Sequence, residues 1–288
     1  MATQSLKISH LMNFSPLIYA PKISKFYKKN IWLKLEILNP TGSHKDRESI
    51  FLIKEAKRKN FKSIGCASTG NLGISLAFFS KINRMKSNIW LNKKDINVDN
   101  LKLIKSLGSN VFIKKVSNLS KLYDLSSQLM KKKKIFNANP NHSKLKILAN
   151  TEIVKEIYKI NKKINTFVTC VNNGSHILGL KKGLKKKHNL YGIFSRSKFA
   201  TSINSYTKYE YKNLINYFNF KKDFIEAKDK EILKGYKLLN SEGLFCEPSS
   251  AAVIGSLSKF KQQNICCIIT GSAQKNLKSF QSFINLQN

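Results

Sequence analysis

Residues 31–47 read IWLKLEILNPTGSHKDR. The first eight alternate apolar and polar side chains, the period of a strand. Asn39, Pro40, Thr41 and Gly42 stop that strand with turn chemistry. Beyond Lys45, apolar residues recur at Ile50, Ile53 and Ala56, the spacing of a helix that runs to about Lys59. A strand delivered through a polar glycine turn into a helix opens an α/β unit, and the same order continues along the chain. Strands are expected at 63–66, 88–91, 111–113, 166–171, 190–194 and 265–270. Helices are expected at 71–81, 99–107, 120–133, 177–187, 229–240 and 249–260. Alternation of this kind predicts an α/β fold with open, mostly parallel sheets flanked by helices.

The length of 288 residues fits one large domain or two packed ones. Hydrophobic residues make up 42%, enough for a core despite a net charge of +36. Of the 52 basic side chains only Arg47, Arg58, Arg84 and Arg196 are arginines. Nucleic-acid readers rely on arginine for bidentate contacts. The excess here is lysine, spread along the chain with asparagine, isoleucine, phenylalanine and tyrosine, as in the product of an AT-biased coding sequence. Specific nucleic-acid binding is not expected.

The five cysteines are odd in number and lack CxxC spacing, and the five histidines lack HExxH pairing, so neither a disulfide framework nor a metal site is expected. The uncharged run 63–80 is too polar and too rich in glycine to span lipid. No hydrophobic leader with a small-residue cleavage site opens the chain, and a cytoplasmic location is expected.

Four polar, glycine-bearing segments each follow an expected strand: 39–47 (NPTGSHKDR), 67–73 (ASTGNLG), 171–179 (VNNGSHILG) and 269–276 (ITGSAQKN). In parallel α/β sheets ligands bind beyond the carboxyl ends of strands, so these loops are candidates for one cleft. Lys45 stands out among many surface lysines because it lies between a Pro-Thr-Gly turn and a helix start. An amine withdrawn from water there can act as a nucleophile and form a Schiff base. The NNGSH turn leads into a helix, whose first N–H groups suit a phosphate, although a purely structural turn fits the spacing equally well.

These segments, in this order, resemble the threonine synthases, members of the fold type II family of pyridoxal-phosphate (PLP) enzymes. NPTGSHKDR resembles their NPTGSFKDR, ASTGNLG their ASTGNTS, residues 242–252 (EGLFCEPSSAA) their EGIFCEPASAA, and ITGSAQKN their TGHGLKD ending. Ser15-Pro16-Leu17 is similar to the family's opening TPL, so residues 1–30 are expected to be structural rather than a leader. The resemblance implies two α/β domains with the cofactor between them. Residues 36–140 would form the small domain and 141–288 the large one, with 1–35 packed on the large one. It implies Lys45 as the PLP Schiff-base lysine and mobile acid/base. Asn71 would bond the ring oxygen, and Ser68, Thr69, Gly70 and Asn139 would hold the substrate. Asn172, Asn173, Gly174, Ser175 and His176 would cradle the cofactor phosphate, and Thr270 would face the ring nitrogen. The implied reaction turns O-phospho-L-homoserine, a small amino-acid substrate, and water into L-threonine and phosphate. A homodimer is also implied.

Some positions depart from that pattern. Asn172 and Ser175 stand where the cradle has glycines, and His176 where it has Asn or Thr. Residues 139–153 (NPNHSKLKILANTEI) align with the family's NPFRIEGQKTAAFEI, so its arginine becomes His142 and EGQKT becomes KLKIL. Lys144 or Lys146 would then replace the lost cation, and Leu72 removes a hydroxyl from the carboxylate loop. The alternatives are a dehydratase-like lyase, a cysteine-synthase-like transferase, or a non-catalytic homologue.

Overall fold

The computed structural model describes residues 14–68, 70–139, 144–204 and 214–275. Two sheets carry the chain. The larger has six strands in the order β1 (Leu17–Tyr19), β2 (Asn30–Leu35), β10 (Asn264–Ile269), β7 (Thr166–Cys170), β8 (Asn189–Phe194) and β9 (Phe224–Glu226). All its pairings are parallel except β1 with β2. The smaller sheet is wholly parallel, in the order β5 (Asn110–Lys114), β4 (Lys86–Asn92), β3 (Ser63–Ala67) and β6 (Phe136–Asn137). This is the mixed α/β architecture that the strand–helix alternation predicts.

Both faces of each sheet are covered, which explains why its strands read as apolar runs. In β10, Ile265, Cys267 and Ile269 enter the core on one face, while Cys266 and Ile268 enter the core on the other. In β4, Ile89 and Leu91 face one way and Trp90 the other. The five cysteines are free thiols, four of them buried. Burial pushes the Cys66 thiol up to about 12, so it behaves as a small hydrophobe.

Some elements differ from expectation. The strand at 31–38 ends at Leu35, and Glu36–Leu38 form a 3₁₀ turn. Its polar face does not meet solvent, since Lys34 and Glu36 are both fully buried. The helix expected at 177–187 is Ser175–Gly183, so Lys185, Lys186 and Lys187 lie in the turn beyond it. The helix at 249–260 closes at Gly255 and continues as a 3₁₀ turn. Lys144–Ile160 form a 17-residue helix that periodicity does not announce, because its buried face carries Lys146, Asn150 and Glu156. Among the described residues no helix is long and apolar enough to cross a membrane.

One helix crossing is as close as backbones allow. A Cβ on Gly235, in the Asp229–Ser241 helix, would stand 1.9 Å from the Ala251 carbonyl oxygen. A Cβ on Gly255 would stand 1.8 Å from the Glu231 oxygen. Alanine favours a helix over glycine by about 1 kcal/mol, yet overpacking costs about 1–3 kcal/mol or more. Gly235→Ala is therefore expected to lower stability by about 2 kcal/mol. A urea midpoint at or above that of the unaltered protein would contradict the crossing.

Candidate active site

The parallel strands β2, β10, β7 and β3 all end towards one cavity of about 670 Å³. It is lined by His44 and Lys45 after β2, Ser68, Gly70 and Asn71 after β3, Asn172–His176 after β7, and Thr270 after β10. The four glycine-bearing loops thus meet as expected from the strand ends. Thr69 and His142 lie outside the described residues.

The loop before Lys45 is shaped by its own sequence. The Thr41 N–H donates to Asp46 Oδ2 at 2.6 Å, and the Thr41 hydroxyl donates to the other carboxylate oxygen. The Gly42 N–H closes a turn onto the Asn39 carbonyl. The loop is then stitched to the end of β10, where the His44 N–H donates to the Thr270 carbonyl at 3.0 Å and Ser43 bridges Gly271. Lys45 begins the Lys45–Arg58 helix, and its amine donates to Glu48 Oε1 at 2.8 Å, one turn on.

Glu48 is wholly buried and is the centre of a polar cluster. Its Oε1 also accepts from Asn150 Nδ2 at 3.1 Å and from the Ser175 hydroxyl at 3.3 Å. Burial alone would raise its pKa, but the charges of Lys45, Lys146 and His44 outweigh it and hold the carboxyl at about 2. Lys146 lines the same cavity with its amine on the Ala138 carbonyl at 2.7 Å. Burial lowers its pKa to about 8, assisted by the Lys45 charge and opposed by Glu48. Lys144, the other candidate replacement for the family's arginine, is exposed and does not line the cavity.

The Ser175–Gly183 helix points its N-terminus into the cavity. Its N-cap is Gly174, at φ 72°, which side chains rarely adopt, and no side chain caps it. The Ser175 N–H donates to the Asn173 carbonyl at 2.9 Å, and the following first-turn N–H groups of His176 and Ile177, which no helical carbonyl can reach, are left for an anion. His176 is braced beneath this turn. Asn150 Nδ2 donates to Glu48 and to the Lys146 carbonyl, so Asn150 Oδ1 accepts from His176 Nδ1 at 2.8 Å. His176 Nε2 then accepts from the Thr169 hydroxyl at 2.9 Å. At the end of β10 the Thr270 hydroxyl meets Cys170 Sγ at 3.2 Å and the Ser250 hydroxyl at 3.4 Å. Asn71 donates to Glu247 Oε1 at 2.8 Å, and Glu247 also lines the cavity.

Asn139 is a correction. It is fully buried and absent from the cavity wall. Its Oδ1 accepts from the Ala67 N–H at 2.8 Å, and its Nδ2 donates to Ser126, Ser127 and the Tyr123 carbonyl. The saturated amide braces the end of β3 instead of facing a substrate. His44, Glu48, Asn150 and Glu247 join Lys146 in completing the site; His44, Asn150 and Glu247 lie inside family-like segments that imply no role for them, and Glu48 carries no such signal. Among the described residues no three His, Cys, Asp or Glu side chains gather around a metal position.

The cluster predicts acid sensitivity. Burial, aided by Lys45, lowers the His44 pKa from 6.5 to about 4; burial also holds His176 well below 6.5. The unfolded chain therefore takes up protons first as pH falls through 6.5, and stability declines from there towards pH 4. Glu48, depressed from 4.5 to about 2, extends the loss below 4.5. Urea midpoints should begin to fall just below neutrality and keep falling with acid. A flat profile from pH 7 to pH 5 would contradict the neutral histidines.

A model of the family described as "pyridoxal-phosphate dependent enzyme" matches residues 8–271. The chain is 27% identical to the threonine synthase of Methanocaldococcus jannaschii, over 86% of this chain and 71% of that protein. It is 25% identical to the threonine synthase of Halalkalibacterium halodurans, over 94% of this chain and 85% of the relative. Among solved structures, maize serine racemase superposes with a TM-score of 0.83 at 15% identity, covering 97% of this chain and 94% of that one. A processed threonine deaminase isoform from Solanum lycopersicum gives 0.84 at 18% identity, covering 97% and 84%. At such identities these two likenesses speak for the fold alone.

Proposed function

The chain belongs to the pyridoxal-phosphate dependent enzyme family, and from that premise we propose that it is a threonine-synthase-type lyase, converting O-phospho-L-homoserine and water to L-threonine and phosphate. The family depends on PLP, and the residues present fit that cofactor. An uncapped helix N-terminus with Gly174 at φ 72° leaves N–H groups for its phosphate. The observation that carries the reading is that the Lys45 amine, this helix end and the Thr270 hydroxyl share one cavity. The threonine synthases among its relatives support the choice of reaction.

Bound PLP supplies an electron sink that makes protons on the substrate's carbons acidic. We assign Asn172, Asn173, Gly174, Ser175 and His176 to its phosphate, Asn71 to its ring oxygen and Thr270 to its ring nitrogen. A neutral hydroxyl at that nitrogen cannot supply the charge a carboxylate would, which favours elimination and replacement over transamination. Lys45 Nζ, on the first turn of its helix, would move a proton at Cα and then at Cβ as phosphate leaves from Cγ, and water adding at Cβ would complete threonine. Ser68 and Gly70 are assigned to the substrate carboxylate. Lys146, which lines the cavity, is assigned to the substrate's phosphate in place of the family's arginine. A homodimer in the cytoplasm belongs to the same reading.

Purified protein supplied with PLP and O-phospho-L-homoserine is expected to release threonine and inorganic phosphate in equal amounts. A keto acid and ammonia formed from serine or threonine, with no threonine formed from phosphohomoserine, would replace the reading with a dehydratase. No turnover and no bound PLP would leave a non-catalytic homologue.

A further inference from the structure

A fixed carboxylate lies where the site must hold anions. Glu48 Oε1 is 3.3 Å from the hydroxyl of Ser175, the first residue of the helix assigned to the cofactor's phosphate. The same oxygen accepts from Lys45 Nζ at 2.8 Å. Its partner oxygen, Oε2, is buried with no hydrogen bond. The ion pair of Glu48 among the described residues is with Lys45, while the amine of Lys146 rests on the Ala138 carbonyl. The carboxylate is thus wedged between the reactive amine and the cradle, and it stays ionised through the neutral range.

We infer that Glu48 weakens cofactor binding by placing a buried negative charge beside the phosphate cradle. Two anions in a site shielded from water repel more strongly than they would in solvent. Part of the favourable field of the helix N-terminus is therefore spent against Glu48. To engage the cofactor, Lys45 must also leave its ion pair. The protein is accordingly expected to hold PLP loosely and to be isolated largely as apoprotein unless PLP is supplied.

This inference rests on the assignment of the Gly174 end as the cradle, and the test separates the two. Apoprotein is titrated with PLP and with pyridoxal, which lacks the phosphate, for the unaltered protein, Glu48→Gln and Glu48→Ser. The glutamine retains acceptors for Asn150 and Ser175, and the smaller serine guards against a packing fault. Both variants are expected to bind PLP at least tenfold more tightly and to gain clearly less for pyridoxal, which shares the release of Lys45 but not the repulsion of a phosphate. Unchanged or weaker PLP binding, or an equal gain for pyridoxal, would overturn the role of Glu48 and leave the proposed reaction standing. Failure of inorganic phosphate to compete with PLP in the unaltered protein would overturn the cradle and this inference with it.

Discussion

Lys45→Ala is expected to abolish threonine formation, lowering the rate by at least about 10³-fold, while the fold persists. The side chain is positioned by elements that the substitution leaves intact. These are the Thr41–Asp46 turn, the stitch to Thr270 and the helix that follows. Its removal strands Glu48 without its ion-pair partner, so some stability is lost as well. The double variant Lys45→Ala, Glu48→Gln removes that charge and is expected to recover the urea midpoint without recovering turnover. Activity within tenfold of the unaltered protein, in either variant, would contradict the assignment of Lys45.

Arg47→Met is expected to cost about 3–5 kcal/mol, the largest stability effect of any single change considered. The Arg47 guanidinium grips Glu36 through Nε and Nη2 at 2.7 and 2.9 Å, and Glu156 through Nη1 and Nη2 at 2.6 and 2.7 Å. Lys34 holds Glu156 from the other side at 2.5 Å, and Ser15 donates to Glu36 at 2.7 Å. Two buried cations face two buried carboxylates, so the group is neutral only as a whole. Burial alone would raise the Glu36 pKa, but Arg47 brings it from 4.5 to about 2. Without the guanidinium one carboxylate loses its counter-charge. Arg47→Met combined with Glu36→Gln is expected to be less damaging than Arg47→Met alone. A loss below 1 kcal/mol in denaturant titration would show that the network does not anchor the Lys45 helix.

The network also explains what the sequence could and could not reveal. The order of strands and helices was legible because each parallel strand, covered on both faces, stands out as an apolar run between glycine turns. The four loops were legible because turn chemistry and chemistry-bearing residues coincide in them. Lys34 misleads, since an alternating strand normally turns its polar residues to water, and here that side meets Glu156. The partners of Arg47 stand 11 and 109 positions away, on elements that only the fold brings together. Helix Lys144–Ile160 hides for the same reason, because a helix that buries Lys146, Asn150 and Glu156 loses its amphipathic signature. Asn139 shows the converse: a position that matches a site motif serves as a brace once its amide is saturated by neighbours.

The proposed reaction requires Lys45 to be the amine that holds the cofactor, and Lys146 is a second amine, itself buried, in reach of the same space. Lys146 lies in the same cavity, with its pKa brought down to about 8. Borohydride reduction of the PLP-loaded protein fixes the cofactor to whichever amine holds it, and peptide mass mapping then locates it. The added mass is expected on the peptide carrying Lys45, at one per chain, and is expected to be absent in Lys45→Ala. The same mass on the Lys146 peptide, or scattered over surface lysines, would contradict that assignment.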